Sequence, residues 1–311
     1  MKVLVTGGTG FIGRALVPTL RSAGHSVRIA LRSPRSDCGP DCVVVGDIGP
    51  HTNWQVALEG TDAVVHAAAR VHVMHDYRGS AAEFHRTNAE GTIRLARDAA
   101  AAGAKRFVFI STIKVNGDAT TERAFDADDA PDPRDAYSRS KYEAECGIRS
   151  LAGLDPVIIR PPLVHGPGAR GNLARFCRIA RLGLPLPLAA ILNRRDILGV
   201  RNLASLIDRC LSHPDAPHRV FLAADGEPLS TPQLYRLIAE SLGCRARLVH
   251  VPVGLLGACA RSTGLSREFD RLTQSLEVDI GKTRELLGWT PPISAALGLA
   301  EMATAFLEAR E

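Results

Sequence analysis

Tyr137 and Lys141, within Tyr137-Ser138-Arg139-Ser140-Lys141, set a phenol and an ammonium four residues apart. On a helix the two lie on one face, one turn apart. A tyrosine hydroxyl ordinarily titrates near pH 10 and is no base at neutral pH, but a neighbouring lysine cation stabilises the phenolate and lowers that value. Ser111 and Thr112 stand about 25 residues earlier, at the end of a predicted strand, where a hydroxyl can reach the same substrate oxygen. These groups together suit general acid–base proton transfer at a substrate oxygen. The tyrosine–lysine spacing alone is a common coincidence; the preceding Ser-Thr gives it weight.

A second set of residues sits at the start of the chain. Thr6-Gly7-Gly8-Thr9-Gly10-Phe11-Ile12-Gly13 places Gly7, Gly10 and Gly13 at three-residue intervals, between a predicted strand and a predicted helix. The first glycine permits the tight turn, the second lets a pyrophosphate approach the backbone, and the third lets helix and sheet pack closely. The helix N-terminus then offers unpaired N–H groups and a positive dipole to the phosphates. This is the setting of a dinucleotide site, and an oxidised nicotinamide there would further stabilise a Tyr137 phenolate. An acidic residue after the second strand would favour NAD through the ribose 2′-hydroxyl. Arg32 stands there instead, with Arg35 close by and no acid before Asp37. A guanidinium suits a 2′-phosphate, so NADP is favoured over NAD. Asp47, in Gly46-Asp47-Ile48 after the third strand, can meet the adenine amino group.

The elements that must position these residues read as alternating short apolar runs and helical patterns. Lys2–Thr6, Val27–Leu31, Val43–Val45, Ala63–His66, Phe107–Ser111 and Val157–Ile159 are predicted strands, and Phe11–Ala23, Ala81–Ala102 and Ala136–Ser150 predicted helices. That alternation predicts an α/β fold: a doubly wound parallel sheet with helices on both faces and a ligand edge at the strands' carboxyl ends. After about Arg160 prolines and glycines multiply and the pattern becomes loop-rich, as suits a substrate pocket. Helices return at Val200–Ser212, Thr231–Leu242 and Ala295–Ala309, with a short strand at Val220–Leu222. We therefore expect a nucleotide-binding part over 1–160. A smaller cap, mainly substrate-binding, follows over 161–311, with some of it returning to the core of the first part.

Composition narrows the function classes. The 311 residues are 45% hydrophobic and 23% charged, typical of a globular protein rather than a disordered or disulfide-built one. The formal net charge of +5 is spread thinly, with no run of five basic residues, which argues against a nucleic-acid surface and suits phosphorylated ligands. Seven cysteines, with only Cys38 and Cys42 close together, make neither a disulfide framework nor a zinc site, so no metal is expected. The start resembles no signal peptide, and no apolar stretch approaches the ~20 residues of a membrane span. A cytoplasmic enzyme is expected.

The glycine run, His66-Ala67-Ala68-Ala69, Asn88-Ala89-Glu90-Gly91-Thr92, Ser111-Thr112 and Tyr137 to Lys141 occur in the order of the extended short-chain dehydrogenase/reductases. The chain resembles the nucleotide-sugar epimerases, dehydratases and 4-keto reductases of that family over essentially its whole length. Arg160-Pro161-Pro162-Leu163-Val164-His165-Gly166, Gly171-Asn172-Leu173, Asn193-Arg194-Arg195-Asp196 and Asp279 to Pro291 resemble its later segments. The resemblance implies Tyr137 as acid/base, Lys141 as its partner and ribose ligand, and Thr112 as ligand of the substrate hydroxyl. It implies a cofactor site built from Gly7, Gly10, Phe11, Ile12, Gly13, Arg32, Asp47, Ile48, Ala67, Ala68, Ala69, Tyr137, Lys141 and Pro161. Asn172, Leu173 and Arg195, with Arg271 assisting, would join Thr112 and Tyr137 in holding a UDP-sugar; membrane insertion is not implied, and a homodimer is compatible. His165 and Asn116 stand where relatives often have tyrosine, so His165 is given no role and a substrate contact from position 116 is in doubt. Ser111 to Gly117 and Leu184-Pro185-Leu186-Pro187-Leu188 most resemble enzymes of bacterial surface-polysaccharide synthesis that reduce a UDP-4-keto-6-deoxy-N-acetylglucosamine. That reduction by NAD(P)H is the first expectation and a UDP-sugar 4-epimerase the second. A non-catalytic dinucleotide sensor is the third, disfavoured because it would need no Thr112, Tyr137 and Lys141.

Overall fold

A computed structural model describes residues 1–36, 39–71 and 80–309; Asp37 and Cys38 lie outside the described residues. Seven parallel strands form the main sheet: β1 (Lys2–Thr6), β2 (Ser26–Leu31), β3 (Cys42–Val44), β4 (Ala63–His66), β5 (Arg106–Ile110), β6 (Asp155–Arg160) and β9 (Arg219–Leu222). Their order across the sheet is β3-β2-β1-β4-β5-β6-β9. The order reverses between β1 and β4, which pair in register from Val3 opposite Ala63 to Thr6 opposite His66. The crevice beyond their carboxyl ends is where such sheets take ligands.

Alternation along the strands divides the core. Val3, Val5 and Phe221 face α1 (Phe11–Ser22) and α7 (Val200–Ser212), with Leu16, Leu20, Leu203 and Leu206 filling the interface. Leu4, Val64, Phe107 and Phe109 face the opposite side, against Trp54, Leu95 and Ile148. That layer is made by α2 (Gln55–Leu58), α3 (Ser80–Phe84), α4 (Gly91–Ala101) and α5 (Ala136–Arg149). The helix expected over 81–102 runs unbroken through α3 and α4, but His85–Glu90 between them takes a π-helical turn. Its widened turn puts Asn88 against α5, where Nδ2 donates to Ser140 Oγ at 3.1 Å.

The stretch after Arg160 holds more regular structure than its prolines suggest. It contains β7 (Leu163–His165), α6 (Asn172–Leu182) and β8 (Ile197–Gly199), with β7 and β8 paired in a small parallel sheet. The chain then returns to the main sheet through α7 and β9, so the strand expected at 220–222 is an edge strand beside β6. The remainder comprises α8 (Thr231–Ser241), α9 (Val253–Ser262), α10 (Ser266–Thr273), α11 (Gly281–Leu287) and α12 (Ala295–Glu308). Leu173 and Phe176 of α6, Tyr235 and Ile238 of α8, and Leu299 and Met302 of α12 make a separate apolar core there.

Candidate active site

The glycine turn is fitted to its surroundings too tightly for any side chain. Gly7 has φ +70°, and a Cβ there would lie 2.8 Å from Ala68 N; at Gly13 it would lie 2.2 Å from Gly7 O. Only glycine permits these approaches. Gly10 caps α1 without a side-chain hydrogen bond, so none of the described side chains caps its first-turn amides. Phe11 and Ile12 begin that helix half-buried, with Ile12 packed on the core. Ala67, Ala68 and Ala69 leave β4 on the other wall, where Ala68 N donates to Thr6 Oγ1 at 3.2 Å. A bare helix N-terminus between two glycine-tight walls fits a pyrophosphate.

Arg32 follows β2 at the same edge and meets Asp47, with Nε 2.6 Å from Oδ1. The two residues expected at opposite parts of an adenosine thus pair with each other. Both side chains are more than three-quarters exposed, where such a pair contributes only about 0–1 kcal/mol and an incoming phosphate can compete for it. Ile48 is half-buried against the core and touches the start of α4, where a Cβ on Gly91 would come within 2.8 Å of its Cγ2.

Helix α5 carries Tyr137 and Lys141, with Lys141 turned to the sheet. Its N-terminus is fixed by a capping box: Asp135 accepts from Ser138 N at 2.7 Å, and Ser138 Oγ accepts from Asp135 N at 3.1 Å. Asp135 also pairs with Lys114. Although burial alone raises its pKa, the hydrogen bonds from Lys114 and Ser138 hold that carboxyl down at about 2. Tyr137 is half-buried edge-on to Phe84, ring centroids 6.0 Å apart. Lys141 is buried, with Nζ 4.0 Å from the centre of the Phe109 ring. Phe109 in turn stacks on His66 at 5.8 Å. Thr6 Oγ1 and Thr92 Oγ1 hold the two nitrogens of His66 at 2.6 and 2.9 Å. Burial, with the Lys141 charge, depresses His66 to about 3, so the ring is neutral at physiological pH.

In the protein itself burial opposes the expected lowering of the Tyr137 pKa by Lys141. Burial, helped by Asp135, pushes Tyr137 up to about 12. Burial pulls Lys141 down to about 7, opposed by Glu145. Desolvation is the larger cause at both groups. Thr112 caps the short 3₁₀ turn Ile113–Val115 at the end of β5, next to Ser111. Pro161 is buried at the end of β6, and its carbonyl accepts from Ile113 N at 2.9 Å.

A buried cluster that no local sequence pattern reveals lies behind these residues. Glu145 accepts from Ser111 Oγ at 2.5 Å, and from Arg160 Nε and Nη2 at 3.0 and 2.6 Å. Arg160 Nη1 donates to Asn116 Oδ1 at 3.0 Å, and Asn116 Nδ2 donates to the Asp126 carbonyl at 2.9 Å. Asn116 therefore holds Arg160 in the interior. The signal for Glu145 was its place one turn beyond Lys141. His165 is likewise structural: fully buried, with Nε2 2.7 Å from Asp225 Oδ2.

The expected diphosphate residues lie on separate elements of the cap. Asn172 is exposed at the start of α6 after Gly171, while the Leu173 side chain is buried in the cap core, leaving only its main chain for a ligand. Arg195 is half-buried, donates from Nη1 to the Gln274 carbonyl at 2.9 Å, and bridges Leu229 and Leu276 through its backbone. Arg271 is exposed in the last turn of α10. No metal-binding group of three His, Cys, Asp or Glu occurs among the described residues, nor any helix long and apolar enough to cross a membrane.

Comparison with known proteins agrees with this architecture. Residues 3–224 match the profile of the NAD dependent epimerase/dehydratase family. A UDP-glucose 4-epimerase of Vibrio cholerae is 40% identical over 315 aligned residues, covering 99% of this chain and 96% of that protein. An N-acetyl-alpha-D-glucosaminyl-diphospho-ditrans,octacis-undecaprenol 4-epimerase of Escherichia coli O157:H7 is 27% identical, covering 82% and 77%. Among solved structures, MoeE5 in complex with UDP-glucuronic acid and NAD superposes with a TM-score of 0.80 at 25% identity, over 99% of this chain and 100% of that one.

Proposed function

The chain belongs to the NAD dependent epimerase/dehydratase family, and from that premise we propose that it is a UDP-sugar 4-epimerase. The observation that carries this reading is end-to-end likeness, at 40% identity, to a UDP-glucose 4-epimerase, with Tyr137, Lys141 and Thr112 all present at the carboxyl edge of the sheet. The glycine turn, Ala67 to Ala69 and Pro161 would hold NAD, which would supply a hydride acceptor and a positive ring charge. Tyr137 takes the proton of the sugar 4-hydroxyl as C4 is oxidised to the ketone, and returns it to the C4 oxygen when the turned sugar is reduced on its opposite face. Lys141 stabilises the phenolate between the two transfers, and Thr112 holds the same oxygen in line. Arg195, Asn172 and Arg271, with the Leu173 main chain, grip the diphosphate and so leave the sugar ring room to turn over.

Arg32 favours a second reading, in which NADPH reduces a UDP-4-keto-6-deoxy sugar for polysaccharide synthesis. A reductase profits from an exchangeable cofactor carrying a 2′-phosphate, which a guanidinium binds well. Both readings use the same proton donor, so the fate of the hydride separates them. The purified protein should convert UDP-glucose or UDP-N-acetylglucosamine into the 4-epimer with no net change in nicotinamide absorbance. Stoichiometric loss of NADPH on adding a UDP-4-keto-6-deoxy sugar, without epimer formation, would replace the first reading with the second.

A further inference from the structure

We propose that the outer face of the cap, from α6 to α9, docks on an anionic phospholipid bilayer, with α9 as the element that enters the headgroup layer. The inference makes no use of the proposed reaction. No Asp or Glu occurs between Asp155 and Asp196, nor between Glu240 and Glu268. Neither stretch holds a basic run of its own; the fold brings the two together. Leu186 N donates to the Arg247 carbonyl at 2.9 Å, and Val249 N donates to the Leu186 carbonyl at 2.8 Å. A Cβ on Gly183, at the end of α6, would lie 4.0 Å from the Arg247 guanidinium carbon. Leu186 and Leu248 turn inward to the cap core, so alternation leaves Arg245, Arg247 and Val249 outside.

Two kinds of exposed side chain share this face. Leu182, Leu184, Val249, Val253 and Leu255 are between 37% and 70% exposed. Helix α9 touches α10 through Gly257, where a Cβ would lie 3.3 Å from Phe269 Cε1, and its Val253, Leu255 and Ala258 stay exposed. The basic side chains are Arg175, Arg178 and Arg181 of α6, with Arg245, Arg247 and Arg261, all exposed. None of these six pairs with a carboxylate of the described residues, whereas Arg94, Arg123, Arg134, Arg194 and Arg201 all do. Exposed leucines and valines call for an apolar partner, and unpaired guanidinium groups for an anionic one. A second copy of the chain meets the first need but not the second, because a two-fold contact sets these arginines against one another. A nucleic acid meets the second alone. An anionic bilayer meets both: its phosphates take the arginines while the apolar side of a short helix sinks beneath them. With 10 residues, α9 lies in that interface and does not span it. Asn172 of α6 and Arg271 of α10 are carried by elements of the same face, so docking holds them close to the headgroups.

Co-sedimentation of the full chain with vesicles tests this. The protein should bind vesicles of phosphatidylglycerol and phosphatidylcholine in equal parts, come off as salt rises, and stay in the supernatant with phosphatidylcholine alone. The triple change Arg178→Gln/Arg181→Gln/Arg247→Gln should weaken binding about hundredfold, at roughly fivefold for each charge. Leu255→Gln should weaken it about tenfold or more. All four positions are exposed, so both variants should keep the wild-type melting temperature. The two native tryptophans, Trp54 and Trp289, are buried, so the indole introduced by Leu255→Trp reports on α9; its emission should move to the blue with the anionic vesicles only. Equal binding to both kinds of vesicle, binding to neither, or wild-type binding by the arginine or leucine variant overturns the proposal. So does a lipid-free dimer that Leu255→Gln dissociates, which assigns the face to a second copy. No arm reads sugar turnover, so the result is independent of the proposed function.

Discussion

Burial favours the neutral forms of both Tyr137 and Lys141, against the phenolate–ammonium pair that proton transfer would use, and that conflict shapes what single substitutions should do. Tyr137→Phe keeps the ring against Phe84 but removes the transferable proton; turnover should fall by about 10²–10⁴-fold, while NAD affinity, read by fluorescence titration, stays close to wild type. Near-normal turnover would remove Tyr137 from the reaction. Lys141 also leaves a mark on stability. Its folded pKa of about 7 lies below the unfolded value of 10.5, so between those limits the unfolded chain binds the extra proton and stability rises with pH. His66, at about 3 against 6.5, acts in the same sense lower down, costing stability as pH falls through the window from 6.5 to 3. Urea midpoints across pH should therefore climb from pH 4 to 6.5, and replacing His66 with Gln should flatten that climb. Arg32→Asp places a carboxylate beside Asp47 and opposite any 2′-phosphate. NADPH should bind about tenfold to hundredfold more weakly, from the loss of ~1.5–3 kcal/mol in a charge-assisted bond, with NADH affected far less. Equal losses for the two cofactors would mean that Arg32 serves only its partner Asp47.

Among the elements, the turn from β1 into α1 leaves the least freedom. Gly13→Ala would put a methyl 2.2 Å from Gly7 O and 2.4 Å from Gly8 Cα, contacts only a backbone shift can relieve. That shift should cost about 1–3 kcal/mol by thermal unfolding, and dinucleotide affinity should fall with it because the phosphate cradle moves. The sequence made this turn legible, since glycine spacing, strand and helix all agreed on it. The parallel sheet with helices on both faces followed from the same alternation, and the placement of Tyr137 and Lys141 on one helix from their spacing. The π-helical segment at His85–Glu90 was not legible, because Asn88 reaches Ser140 only through a tertiary contact that no local pattern records. Glu145 and Arg160 were hidden for a related reason: a charged residue reads as solvated until its partner fifteen residues away is seen to be buried with it. Prolines and glycines between 161 and 199 concealed β7, α6 and β8, whose stability comes from packing on α8 and α12 rather than from propensity.

At the scale of the whole molecule, the chain enters the cap after β6 and returns for α7 and β9 before finishing it. A fragment ending at residue 160 would lack the edge strand beside β6 and the helix that covers α1. Such a fragment should show no cooperative thermal transition and should aggregate through its bare strand. The later path adds further links. Thr283 of α11 donates to the Leu222 carbonyl at 2.6 Å, Trp289 packs in the core beneath the sheet, and α12 lies back in the cap. The polypeptide therefore passes between sheet and cap at several points: near Arg160, at Gly199, after Leu222, and on both sides of α11. A lid swings when one or two strands flex as a hinge; sutures at this many points make a rigid-body swing twist every crossing at once. Admission and discharge of a bound molecule should then proceed by local loosening of the cap's outer segments. Amide exchange should quicken and slow there with ligand while the sutures keep their protection throughout.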